Sequence, residues 1–230
     1  YRCSGLTTIS IPESVTSIGP RALYGCSGLT KITLPKSVTS IGDGAFSHCD
    51  NLTEIYVDNG NAIFISEDGI LFTKDKTQLI SYPAGKTSTS YIIPDEVEII
   101  KGYAFAGCCS LLSITIPEGI TVIDYYTFAG CTALQSVILP ESIKRIRDYS
   151  FGGCKNITAL TIPENVIKID FYAFSGCEGI TDLYYNAVNC VNVTNFYKIE
   201  QSTHMAGASN YPSAFCVCKN LQRVIIGNKV

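Results

Sequence analysis

The chain has 230 residues and 46% hydrophobic content, enough for a continuous buried core, which argues against disorder. Its 17 Lys+Arg against 20 Asp+Glu give a formal net charge of −3, with no basic run to neutralise a phosphate backbone, so nucleic acid is not expected as a partner. No stretch approaches the roughly 20 apolar residues of a membrane helix, and residues 1–20 lack the charged start and apolar block of a signal peptide.

A period of 23 residues organises the sequence, and it is tested before any strand is assigned because such a period decides the fold class. Prolines fall at Pro12 and Pro35, then at Pro94, Pro117, Pro140 and Pro163. Phenylalanines recur at Phe105, Phe128, Phe151 and Phe174, with Phe46 earlier and Leu23 one period before it. Cysteines keep the same step at Cys3, Cys26 and Cys49 and again at Cys108, Cys131, Cys154 and Cys177. Units begin near Leu6, Leu29, Leu52, Ser88, Leu111, Leu134, Ile157, Ile180 and Leu221.

The unit starting at Leu29 reads in three parts. A short strand comes first, with Leu29, Ile32 and Leu34 inward and the residues between them outward, the two-residue alternation of a pleated strand. Pro35 ends it, since proline has no amide hydrogen for a ladder. A second extended piece follows with Val38 and Ile41 inward, then a turn or short 3₁₀ segment carries Phe46 and Cys49 into the core. One such coil cannot bury its apolar side chains alone; stacked coils line like residues up into columns.

Two interruptions break the rhythm. Around 59–93, apolar runs at Ala62, Ile70 and Thr77 alternate with turn residues, and Asp68-Gly69 is a hairpin signal, so a small inserted antiparallel meander is expected. The second, 186–214, reads as a long polar inserted loop. Residues 1–230 are otherwise one solenoid that begins and stops in mid-repeat, and continuation in both directions is expected, because an uncapped solenoid exposes core and strand edges.

The repeated pattern L-x-x-I-x-I/L-P-x-x-V/I-x-x-I-x-x-x-A/S-F-x-x-C resembles the BspA-like branch of leucine-rich repeats over nearly the whole chain. The stretches from Asp68 to Lys86 and from Leu183 to Cys190 resemble inserts common in that family. Departures are small: Asp58, Asn186 and Gly227 replace proline, Leu23 replaces phenylalanine, and Ser88 replaces a core leucine. The resemblance implies a β-rich solenoid: a right-handed leucine-rich-repeat superhelix with a parallel sheet, short turn segments and the inserted meander. It also implies a secreted or surface-anchored protein of an anaerobic bacterium or parasitic protist that binds host matrix proteins or neighbouring cells.

Eight of the eleven cysteines, the seven above plus Cys218, share one phase of the repeat and read as buried thiols; Cys109, Cys190 and Cys216 lie off the column and are the bridge candidates. Their spacing lacks the two-residue spacer of a zinc knuckle, so neither metal nor other cofactor is expected. The two histidines, His48 and His204, have no nucleophile motif beside them, so no catalytic residue is assigned and enzyme activity is not expected. His48 reads as part of a solvated loop.

What remains for function is the outward side of the first strands, mostly hydroxyl-bearing in the middle units, as suits exposed strands. The ends differ. Glu54 and Tyr56 at one end, and Asp182, Tyr184 and Arg223 at the other, supply aromatic and charged groups of the kind that anchor interfaces. Tyr82, Tyr197 and Tyr211 lie in loops nearby. The expected function is an extracellular recognition or adhesion module, monomeric, with a protein ligand; the alternatives are a structural spacer of a larger surface protein or a carbohydrate-binding module.

Overall fold

In the computed structural model, which describes residues 2–187, 189, 190 and 214–227, the chain winds into a solenoid of stacked β coils. The first coils supply β1 (Ser17–Ile18), β2 (Lys31–Leu34) and β3 (Ser40–Ile41). The next holds β4 (Glu54–Val57), followed by β5 (Phe64–Glu67), β6 (Ile70–Thr73) and β7 (Gln78–Ser81). The rhythm resumes with β8 (Ser90–Ile92), β9 (Ile99–Ile100), β10 (Ser113–Thr115), β11 (Val122–Ile123), β12 (Ser136–Ile138) and β13 (Arg145–Ile146). It continues through β14 (Ala159–Ile162), β15 (Lys168–Ile169), β16 (Asp182–Tyr185) and β17 (Arg223–Ile226).

The rungs between coils are parallel, and those between regular coils keep the 23-residue register of the repeat: Ser113 faces both Ser90 and Ser136, and Arg145 faces Lys168. Asp182 faces Arg223 across a single rung although the second interruption lies between them in sequence. Proline's role is visible where it is missing. At the proline position Asp58, Asn186 and Gly227 donate their amides to Leu34, Ile162 and Tyr185 of the coil before, at 2.9, 3.0 and 3.0 Å. A proline there lacks the donor, so it trims one bond from each rung and lets the chain turn.

The core is a set of columns. Rings of Tyr82, Phe105, Phe128, Phe151, Phe174 and Phe215 stack with centroids 4.9 to 5.2 Å apart, the spacing of the rungs themselves. Tyr82, read from sequence as a loop residue, is buried: it takes the phenylalanine place in its coil. Beside the rings the column thiols from Cys49 onward point at the carbonyl of the phenylalanine position one coil back: among them Cys131 to Phe105 at 3.1 Å, Cys154 to Phe128 at 3.2 Å and Cys177 to Phe151 at 3.0 Å. None of the eleven cysteines is bridged, Cys109, Cys190 and Cys216 included. Burial pushes the Cys49 thiol up to about 11 and that of Cys218 up to about 12, so these groups stay protonated and inert.

The segment after β4 is more than a decoration. β5, β6 and β7 form an antiparallel meander, but β7 also pairs in parallel with β9 and so serves as the second rung of its own coil. β6 stands between two separate cores: Leu71 packs with the coils of β1 to β4, while Ile70 and Phe72 join the coils from β8 onward. The first unit departs from expectation. Residues 6–11, with Thr8 and Ser10 expected outward on a strand, form no ladder. Leu6, Ile9 and Ile11 are only partly buried against the β2 coil.

Two consequences are measurable. Phe128→Ala, which leaves a gap between two stacked rings, is expected to lower unfolding free energy by about 3–5 kcal/mol in chemical denaturation. A thiol reagent added to native protein is expected to label the exposed Cys3 and Cys109 quickly, and to reach Cys26, Cys49, Cys131, Cys154 and Cys177 only after denaturant is added.

Candidate functional site

The first strands present their alternate residues to solvent, as the pleat requires. Lys31 and Thr33 are exposed, and in the middle coils the apolar Ile92 and Ile138 stand 71% and 78% exposed among serines and threonines. At the β2–β4 rung three polar side chains lock together. Lys31 Nζ lies 2.6 Å from the Glu54 carboxylate and donates to Tyr56 Oη at 3.4 Å, while the Tyr56 hydroxyl donates to Glu54. Hydrogen bonds from Lys31 and Tyr56 hold the Glu54 carboxyl below its ordinary value, and Glu54 in turn raises Lys31. The Tyr56 ring is thereby fixed at the surface, 42% exposed.

Tyr56 stands at the mouth of a groove of about 700 Å³ lined by Glu54, Asp68, Lys86, Ser88 and Tyr91 among others. The hairpin between β5 and β6 builds one wall. Asp68 and Gly69 both have positive φ, 49° and 75°, as the two central residues of a type I′ turn require. Gly69 is needed for space as well, because a Cβ there would meet the Cα of Glu54 at 3.0 Å. Lys86 ties the hairpin down by donating from Nζ to the Asp68 carbonyl at 2.6 Å. Asp68, Lys86 and Tyr91 were not named as binding residues from the sequence, where Asp68 stood only as a hairpin signal, since only the third dimension folds the meander back on β4.

At the other end, Arg223 Nε donates to the Asp182 carboxylate, which also accepts from Thr181 Oγ1 at 3.0 Å. Arg223 first and Thr181 second depress the Asp182 carboxyl. Tyr184 pairs in register with Ile225, and both are exposed. The structure therefore brings Glu54 together with Tyr56, and Asp182 and Tyr184 together with Arg223. It does not unite the two groups: β8, β10, β12 and β14 lie between them. Tyr197, Tyr211 and His204 lie outside the described residues.

A second aromatic feature escaped the reading of the sequence although it keeps the period. Tyr103, Tyr126, Tyr149 and Tyr172 stack with centroids 4.8, 5.0 and 4.8 Å apart and planes within 16° of parallel. All four have positive φ, between 53° and 64°. The signal was a tyrosine two residues before each phenylalanine. At one end of the stack the Arg21 guanidinium lies 5.0 Å over the Tyr103 ring and donates to its hydroxyl. With Tyr24 and His48 these residues line a hollow of about 260 Å³. His48 is not the solvated loop residue expected, because the turn carrying it stacks on the turn of Gly107, and its ring lies over the bare faces of Gly107 and Gly130.

Burial lowers the His48 imidazole below its usual value, outweighing the attraction of Asp50 and reinforced by Arg2. The folded state then binds fewer protons than the unfolded one below the ordinary imidazole value of about 6.5. Stability is expected to fall on acidification through that range, and His48→Gln to flatten the slope, as measured by denaturant titration at about pH 7.5 and about pH 5.

Among the described residues no group of three His, Cys, Asp or Glu is placed to hold a metal ion, and no helix is long and apolar enough to cross a membrane. A family model for the BspA type leucine-rich repeat region matches the chain in six copies over residues 1–85 and 84–203. Among solved structures, the chain is similar to the pneumococcal vaccine antigen PcpA, at 30% identity and a TM-score of 0.79, over 94% of this chain and 49% of that one. It is also similar to a leucine rich cell surface protein of Faecalibacterium prausnitzii A2-165, at 29% identity and a TM-score of 0.77, over 97% of this chain and 54% of that one. The chain thus spans about half the length of each. No curated protein matches it.

Proposed function

Because the chain belongs to the BspA type leucine-rich repeat family, we propose that it is a non-enzymatic recognition module, secreted or on a cell surface, that binds protein ligands of a host matrix or neighbouring cell. The observation that carries this reading is the groove at Tyr56. An exposed aromatic ring, held in place by Lys31 and Glu54, stands at the mouth of a cleft of about 700 Å³ on the solvent face of the first strands. Pre-fixed tyrosines with polar rims are the side chains that anchor protein interfaces, because they bury large area at small entropic cost. Asp182, Tyr184 and Arg223 form a second anchor of the same kind, with Tyr197 and Tyr211 assigned to it from the adjoining insert. The surface placement draws support from the relatives, of which one is described as a cell surface protein and another as a vaccine antigen. The chain acts as a monomer in this reading.

Immobilised matrix proteins, cell-surface proteins and glycans presented as one array test it. Binding is expected on the protein spots, with Tyr56→Ala weakening it about ten-fold or more and Tyr184→Ala weakening it further. Binding confined to glycans, or an affinity unchanged by both substitutions, sinks the proposal.

A further inference from the structure

The groove beside Tyr56 lies where the ladder of first strands is interrupted. The coils of β4 and β8 are consecutive, yet among the described residues no Cα of β4 comes within 8 Å of a Cα of β8. Neighbouring rungs lie about 4.8 Å apart, so strands held more than 8 Å apart do not pair with each other, and the groove of about 700 Å³ lies at this break.

The two sides of this opening differ. On β4, the amide of Ile55 donates to the Gly69 carbonyl at 2.9 Å, and its carbonyl accepts from Ser66 Oγ, so the hairpin covers that edge. On β8 nothing comparable is found among the described residues. The strand has one ladder, to β10, which engages the Thr89 carbonyl and the Ile93 amide. A parallel ladder uses alternate residues on each side, so the main-chain groups of Ser90 and Ile92 face the opening, and among the described residues they meet no backbone partner there. An uncovered edge of this kind is a template for another strand.

We propose that this opening is a docking site for an extended polypeptide segment of a partner protein, which adds a strand to β8 through the main-chain groups of Ser90 and Ile92. The inference rests on the recognition reading above and gives it a binding mode. Two of the charged groups at the groove already have partners: Glu54 is paired with Lys31, and Lys86 donates to the neutral main-chain carbonyl of Asp68. What stays open is main chain and the apolar surface of Ile92 and Tyr56. The segment is therefore rich in β-branched or aromatic residues, with alternate side chains against Tyr91 below and Ile92 above.

The test uses a capped seven-residue peptide that alternates Thr with Val and Tyr, titrated into the chain by fluorescence polarisation. A control peptide carries N-methyl groups on alternate amides, which removes the main-chain donors of one edge and keeps every side chain. Saturable binding is expected, weakened about ten-fold or more by N-methylation and by Ile92→Pro. Proline at residue 92 deletes an amide that serves no ladder bond, and edge strands accept proline at such positions. In unaltered protein, amide exchange at Ser90 and Ile92 is expected to slow when the peptide is added, which decides the matter should the proline variant fold poorly. Absence of binding at millimolar peptide, equal binding of the methylated control, or unchanged exchange at both amides overturns the proposal. So does cellohexaose slowing those amides where the peptide does not. If these effects fail while protein spots on the array still respond to Tyr56→Ala, recognition stands and only strand addition is removed.

Discussion

The contact on which the rest of the structure depends is the stacking of one coil on the next at the spacing of a parallel ladder. Hydrogen-bonded strands repeat at about 4.8 Å, and the phenylalanine ring centroids repeat at 4.9 to 5.2 Å, within the range of offset-stacked aromatic pairs. Backbone and side chains therefore agree on one translation. A substituent that fits one regular coil fits the next, which is why rings, thiols and aliphatic residues each form a column along the regular coils. The thiol column has the same origin: each sulfur lies over a carbonyl one coil back, a place that suits a small, weakly polar group.

Where one coil is longer, that agreement is lost locally and the consequences spread. The coil between β4 and β8 keeps a second rung in β7 and a ring in Tyr82, so the column from Tyr82 onward is continuous. Its first-strand side instead spreads apart around the hairpin. The core divides at β6, and the sheet opens into the groove. On the turn side the neighbouring coils reach past the long one: Arg21 bonds Tyr103, Tyr125 bonds Asp43, and Lys101 lies 3.4 Å from Asp43. The same irregularity thus opens one face and is bridged on the other. Interruptions of a repeat are natural places for specificity, since the repeated coils all offer nearly the same surface.

Glu54 and Tyr56 were legible as outward residues because strand alternation assigns each side chain to a face. Their partners were so only in part. Lys31 lies one repeat away and is found by period, whereas Asp68, Lys86 and Tyr91 reach the groove only because the meander folds back. The tyrosine stack was open to the same periodic reading as the phenylalanines. It passed unnoticed because strand alternation has no rule for a turn residue with positive φ, a conformation ordinarily left to glycine. His48 was misjudged for a related cause: its burial comes from a turn two coils further along the chain, brought close because the intervening coil contributes no equivalent turn there.

The sequence by itself determined the solenoid, its period, the inward and outward faces of the regular coils and their columns, since a translational repeat makes each coil's environment a copy of its neighbour's. Tertiary structure decided what happens where that translation fails: that β7 serves as both meander strand and rung, that β6 parts the core, and that the main chain of β8 is left open beside Tyr56. Those outcomes depend on how an irregular segment packs against two unlike neighbours, and no periodicity carries that information.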